Sequence, residues 1–151
     1  MATGSRVDPY SGYNFKVEWD GIIQAGFKTC AGLEFTQDAG TYREGTDSTL
    51  GMRKLPGLIT ASNITLVRGI ADKSELWDWR KLVMDGKVGQ ARKNISIMLM
   101  DDEGNVKVQW DLRECWPTKW GGPSLDATSS EVAVETLEIA HEGITKVEWK
   151  K

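Results

Sequence analysis

The stretch ISIMLMDDEGNVKVQWDLR, Ile95 to Arg113, repeats with a period of two on both sides of a turn. Ile95, Ile97 and Leu99 alternate with Ser96, Met98 and Met100. Asp102-Glu103-Gly104-Asn105 turns the chain. Val106, Val108, Trp110 and Leu112 then return opposite Lys107, Gln109, Asp111 and Arg113. Successive side chains of an extended chain point to opposite faces, so each run is a half-buried strand, and the pair is a β-hairpin.

The same period recurs outward from it. Tyr13, Phe15, Val17 and Trp19 alternate with Asn14, Lys16 and Glu18. Asp20-Gly21 supplies a tight turn and Ile22 to Cys30 returns. Leu33 to Arg43 and Asn63 to Arg68 read as further strands. Trp116-Pro117 breaks the strand before it, and Gly121 to Ser130 reads as a loop. Val132 and Val134 then give way to Leu137 and Ile139, a change of phase that implies a β-bulge near Glu135-Thr136. Ile144 to Trp149 closes the series. The sum is roughly eight strands in a mainly β, single-domain body built as a two-sheet sandwich or barrel-like structure.

One segment has helical spacing. Asp72 to Asp85 opens on Asp72 and Glu75, resembling a capping box, and Gly86 stands where a helix closes. Its apolar residues Leu76, Trp77, Trp79, Leu82, Val83 and Met84 spread wider than the stripe of an ordinary surface helix. One margin of that arc carries Trp77 and Met84 and the other Leu82, so the helix has more apolar surface than one sheet covers. A partner subunit or loops of the same chain can cover the rest. Gly45 to Gly57 shows little periodicity and reads as a long loop. Loops above about 12 residues are uncommon in compact domains and tend to serve function. Leu50, Met52 and Leu55 are its apolar anchors. Residues 1–11 read as an N-terminal arm.

Composition bounds the function. The 151 residues carry a formal net charge of −3, with 40% hydrophobic and 27% charged residues, which suits one folded domain. Nucleic-acid binders show a basic stripe or a pI above about 9, and this pI is about 5.3. No run reaches the ~18 apolar residues of a membrane span. Met1 to Ser11 has no apolar secretion core, so the expectation is synthesis and folding in the cytoplasm with no membrane anchor. Cys30 and Cys115 stand apart from any metal spacing and read as small buried hydrophobes, a disulfide or reactive thiol being the alternative. His141 is the only histidine. Without a nucleophile elbow near it, a small enzyme built on His141 has little support. Asp101-Asp102-Glu103-Gly104-Asn105 lacks cation-loop spacing and reads as a turn. The sequons at Asn63 and Asn94 fall in strands. The seven tryptophans are dispersed, which suits core and interface better than a stacking platform. No catalytic residue, cofactor or metal is expected.

The order of short motifs carries a resemblance. Phe15-Lys16-Val17, Gly26-Phe27, Gly32-Leu33-Glu34 and Tyr42-Arg43-Glu44-Gly45 come first. Leu55-Pro56-Gly57, the run Asn63 to Gly69, and Leu76-Trp77-Asp78-Trp79 follow. Asn94-Ile95-Ser96-Ile97, Trp110, Trp116-Pro117, Val132-Ala133-Val134-Glu135 and Leu137 to Gly143 complete it. From Phe15 to Gly143 the chain resembles the phage tail tube family of contractile tails, and is similar to the type VI secretion tube protein.

That resemblance implies a non-enzymatic subunit with one helix, whose strands join those of neighbours in hexameric rings. The rings stack into a hollow tube driven by a contracting sheath. It implies as partners the chain itself, a sheath protein, baseplate or spike and cap or terminator proteins, and protein or DNA cargo in the lumen. Leu50, Met52, Leu55, Trp77, Leu82 and Met84 are then candidates for subunit interfaces. Lys107, Gln109, Asp111 and Arg113, opposite the apolar face, are candidates for the lumen wall. Phage tail, bacteriocin and injection system are not separated, nor is a baseplate-proximal paralogue. The competing class is a monomeric ligand-binding β-barrel module, with a small apolar molecule inside.

Overall fold

A computed structural model describes residues 8–148, apart from Asp20, Gly21, Ala25, Asp47 and Thr49. The elements are β1 (Phe15–Trp19), β2 (Ile22–Gln24), β3 (Phe27–Ala31), β4 (Phe35–Tyr42), β5 (Arg53–Ala61) and β6 (Ile64–Gly69). They continue with α1 (Glu75–Met84), α2 (Val88–Ala91), β7 (Lys93–Met100), β8 (Val106–Gly121), β9 (Val134–Ala140) and β10 (Gly143–Glu148). The protein is mainly β. An eight-stranded antiparallel sheet runs β2-β1-β7-β8-β9-β6-β3, with β10 also paired to β8, and β4 and β5 form a separate pair.

The long sheet doubles over into two layers because β8 belongs to both. Its first part pairs with β7, and Val108 to Arg113 also pair with β10. From Trp116 to Gly121 it pairs with β9 instead. The bend falls at Glu114, whose φ of 53° is the one positive value outside glycine among the described residues. The Asn94 side-chain oxygen accepts the Glu114 N–H at 3.2 Å, satisfying the donor that the shifted register leaves over. A bulge of this kind bends a strand and lets it change sheets.

Between the layers Val17, Trp19, Ile95, Ile97 and Leu112 form one buried core with Ile64, Leu66, Leu137 and Ile139. The α1 residues Leu76 and Trp79 close it, Trp79 lying 5.5 Å from Trp19 between ring centres. The result is a two-sheet sandwich, open at its edges, and not a closed barrel.

Several elements differ from their expected bounds. The return strand Ile22 to Cys30 is two strands in two layers, β2 on β1 and β3 on β6. Gly26, at φ +89°, lies in the crossing, a conformation that favours glycine. The expected turn at Asp20-Gly21 lies outside the described residues. β8 continues through Trp116-Pro117, because in that half it pairs with β9 alone and a proline is tolerated on an edge. Gly45 to Gly57 is not all loop: Arg53 to Gly57 lie in β5, where Leu55 pairs with Gly40. The helix starts at Glu75, with Ser74 as N-cap and no side-chain cap, so Asp72 does not open it. Gly86 does close it. Its N–H bonds the Val83 carbonyl and the Lys87 N–H bonds that of Leu82, the pattern of a Schellman motif. Short α2 had no signal in the sequence.

No bulge occurs at Glu135-Thr136; β9 pairs with β6 in unbroken register from Val134 to Ile139. The inward positions are Glu135, Leu137 and Ile139, and Val132 lies outside the strand. A glutamate can hold an inward position because Arg68, opposite it, is also buried. Arg68 Nε donates to Glu135 Oε1 at 2.7 Å and an Arg68 Nη to Glu75 Oε2 at 2.7 Å. Trp120 Nε1 donates to the other Glu135 oxygen at 3.3 Å. The pair thus fastens the start of α1 to the second layer.

Arg68→Met is expected to destabilise the fold by about 3–5 kcal/mol, because it strands the Glu135 charge in the interior. Adding Glu135→Leu should return most of that loss in urea unfolding. Burial raises the Glu75 pKa, but the Arg68 hydrogen bond and charge outweigh it and hold the carboxyl below its ordinary value. A depressed carboxylate stabilises above its unfolded pKa of about 4.3 and loses that contribution as pH falls through the folded value. Glu75→Gln should therefore flatten the loss of stability below about pH 4.3.

Candidate assembly surfaces

The β4–β5 hairpin leaves the body at Leu33 and Glu34, after a tight approach at Gly32. There φ is +103° and a Cβ would collide with the Asn63 carbonyl oxygen. The strands pair with each other and are exposed almost throughout. A lone two-stranded hairpin is marginal in water. This one also carries apolar side chains in the open: Phe35, Tyr42, Leu55, Leu58 and Ile59, with Leu50 at 92% and Met52 at 60% exposure near its tip. Leu58 and Ile59 are adjacent, so the strand presents apolar groups to both sides.

The wide apolar arc of α1 divides into two parts. Leu76 and Trp79 are buried, and Leu82 and Val83 are half-buried against the core. The candidate Leu82 is therefore engaged within its own chain. Trp77 and Met84 remain 42% and 52% exposed. Trp77 meets Trp120 edge-on, 4.9 Å between ring centres, so one side of its ring is held while the rest faces outward. Ile70, Leu125 and Val132 are further exposed apolar residues on loops.

The polar face of β8 is less open than its alternation implies. Lys107, Gln109 and Asp111 are half-buried and Arg113 is exposed. Gln109 Nε2 and Ser96 Oγ both donate to Asp111 Oδ1, at 2.6 and 2.8 Å. Lys107 lies 3.6 Å from Asp101, and an Arg113 Nη donates to the Glu142 carbonyl at 3.0 Å. Met98, paired with Gln109 and Lys16, is only 6% exposed. These side chains form a packed, hydrogen-bonded polar layer in which unlike charges are close together.

Among the described residues the chemistry-bearing side chains lie apart from one another. His141 lies 2.8 Å from the Ser62 carbonyl oxygen through Nε2, and its Nδ1 is buried without a partner. Cys30 and Cys115 are free thiols that burial pushes up to about 11 and about 12. Asp101 caps its own turn by accepting the N–H groups of Glu103 and Asn105. Among the described residues no group of His, Cys, Asp and Glu could hold a metal ion. A polar cleft of about 480 Å³ holds Glu18, Arg92, Lys93, Asn94 and Glu114. There Arg92 approaches the carboxylates of Glu114 and Glu142 at 3.8 and 3.9 Å.

Known proteins share this architecture. A family model described as T4-like virus tail tube protein gp19 matches residues 11–145. A chain from the sheath–tube complex of PVC, an extracellular contractile injection system, in the extended state, is 29% identical. The match covers 93% of each chain with a TM-score of 0.81. A chain from the anti-feeding prophage tube-terminating cap is 28% identical over 99% of this chain and 100% of its own, also at TM-score 0.81. Hcp1 from Flavobacterium johnsoniae shares the fold at 16% identity and TM-score 0.55, covering 91% of this chain and 97% of its own. No curated protein sequence matches at a significant level.

Met84→Gln and Ile59→Thr should each leave the thermal unfolding of the isolated chain nearly unchanged. Exposed substitutions away from buried networks stay within about 0.5 kcal/mol. The same two changes should weaken self-association, read by analytical ultracentrifugation.

Proposed function

The chain belongs to the T4-like virus tail tube protein family, and from that membership we propose that it is the inner-tube subunit of a contractile injection system. Its copies form hexameric rings that stack into a hollow tube, which sheath contraction propels through a target envelope. The role is structural and not enzymatic. The observation that carries it is the whole-length likeness to a chain of the PVC sheath–tube complex. The projecting hairpin supports it, because apolar groups on both of its sides call for cover that its own body does not supply.

In this reading the partners are further copies of the chain, a sheath protein around them, baseplate or spike proteins at one end and a cap or terminator at the other. Solved relatives come from sheath–tube, cap, baseplate and terminator assemblies. Leu50, Met52 and Leu55 on the hairpin, with Trp77 and Met84 on α1, face neighbouring subunits. Lys107, Gln109, Asp111 and Arg113 line the lumen. A wall of mixed charge lets protein or DNA cargo slide, whereas a strongly basic one would grip phosphates. Synthesis and assembly take place in the cytoplasm, and the product is part of a phage-tail-like particle.

Electron microscopy of the purified chain should show rings or tubes; a monodisperse monomer would count against the proposal. Leu50→Ser with Met52→Ser should leave rings but shorten or abolish tubes, and tubes of normal length would remove the hairpin tip from the stacking contact. Arg113→Cys in assembled tubes should react with a bulky maleimide more slowly than in the free chain. Equal rates would place that face on the outside.

A further inference from the structure

The single histidine of the chain stands at the root of the projecting hairpin. Glu34, just before β4, and Ser62, just after β5, form the last rung between the two strands where they leave the body. The Ser62 N–H donates to the Glu34 carbonyl at 3.2 Å, and the Ser62 hydroxyl donates to Glu34 Oε1 at 2.8 Å. The body reaches that rung through His141, between β9 and β10, whose Nε2 lies 2.8 Å from the Ser62 carbonyl oxygen. A second tie runs beside it, where Asn63 Nδ2 donates to Glu138 Oε1 at 3.0 Å. The hairpin strands pair only with each other, so these root contacts set the direction in which the hairpin leaves.

A carbonyl oxygen only accepts, so Nε2 carries the proton and Nδ1 of the neutral ring keeps a lone pair. Among the described residues Nδ1 is the one buried side-chain polar atom without a hydrogen-bond partner. A second proton turns it into a buried donor on a charged ring, with nothing to receive its hydrogen, and that is costly. The charged groups around the ring are already engaged. Glu34 and Glu138 receive Ser62 and Asn63, and Glu142, next in the chain, faces Arg92 at 3.9 Å. Arg113 donates to the Glu142 carbonyl at 3.0 Å, and Lys119 stands opposite Glu138 in the β8–β9 register. To find an acceptor the charged ring must turn or water must enter. Either movement takes Nε2 off the Ser62 carbonyl.

We propose that His141 is a proton-operated latch at the hairpin root: neutral, it ties the Glu34–Ser62 rung to the body, and protonated, it lets the rung go. The tie is complete at the alkaline end of the histidine range and is lost as pH falls through it. Histidine is the side chain whose charge ordinarily changes between about pH 5 and 8. Carboxylates ordinarily stay ionised across that window, which separates the latch from the pairing of Glu75 with Arg68. The latch is a property of the single chain. Its consequence rests on the tube reading above: a loosened root no longer holds the hairpin at one angle, so acid weakens association.

Hydrogen exchange of the full chain, read by mass spectrometry and corrected for intrinsic rates, tests this between about pH 7.5 and about pH 5. Peptides containing Glu34 and Ser62 should exchange roughly tenfold faster at the acid end, the scale of one unpaired buried donor. Peptides from β7 should not change. His141→Gln, whose amide still donates to Ser62 but takes up no proton, should abolish the difference. His141→Ala should exchange fast at the root at both ends. Sedimentation should show association weakening towards acid in the parent chain and not in His141→Gln. Equal root exchange at both ends in the parent chain, a measurement that needs no variant, would overturn the latch. A pH difference that survives in His141→Gln would overturn it too. A root that loosens while association holds would overturn its role in assembly. None of these results touches the tube reading, which fails only if the parent chain never associates.

Discussion

Strand β8 hydrogen-bonds to β7 and β10 along its first half and to β9 along its second. One covalent segment therefore sets the distance and angle between the two layers. The bend at Glu114 costs on the order of 1 kcal/mol as a left-handed, non-glycine residue. The Asn94 side chain offsets it by bonding the amide that the bulge frees. The core on both sides depends on that bend, because Leu112 and Cys115 flank it and are both buried, and α1 packs against β8.

A second constraint is area. The buried core is enough to close the body but leaves the β4–β5 hairpin outside it, with apolar groups on both of its sides. An isolated monomer would carry that hairpin at a loss, since ordering its backbone costs about 1–2 kcal/mol per residue and little burial offsets it. Within an assembly of identical chains the same hairpin becomes binding surface. The same holds for the exposed edge of Trp77, which is anchored on Trp120 from within and available from without. A stable body with unsatisfied extensions is the design of a building block.

The Arg68–Glu135–Glu75 group links these two constraints. It lies where β6, β9 and α1 meet, and Trp120, which supports Trp77, also donates to Glu135. The buried ions thus position the exposed aromatic margin of the helix. A polar cluster of this kind adds little net stability over apolar packing but fixes one arrangement of partners.

The strands were legible in the sequence because backbone geometry imposes a period of two and burial makes it visible. Ile95, Ile97 and Leu112 are buried as their alternation requires, and the helix closes at Gly86 as its spacing requires. The order of motifs likewise pointed to the tail tube family. Where the period failed, a tertiary partner was responsible. Glu135 reads as a change of phase until Arg68 is found across from it. Pro117 reads as a break until β8 is seen to run along an edge. Met98 reads as outward until it is found covered among Lys16 and Gln109. The last five residues of the supposed long loop are strand because Arg53 to Ala61 pair with Tyr42 to Phe35 and with nothing else, so no burial marks them. Local pattern reports which face of a segment is buried against its own chain. It does not report pairing without burial, ion pairs between distant segments, or surface left bare for another copy, because each depends on what the fold brings alongside.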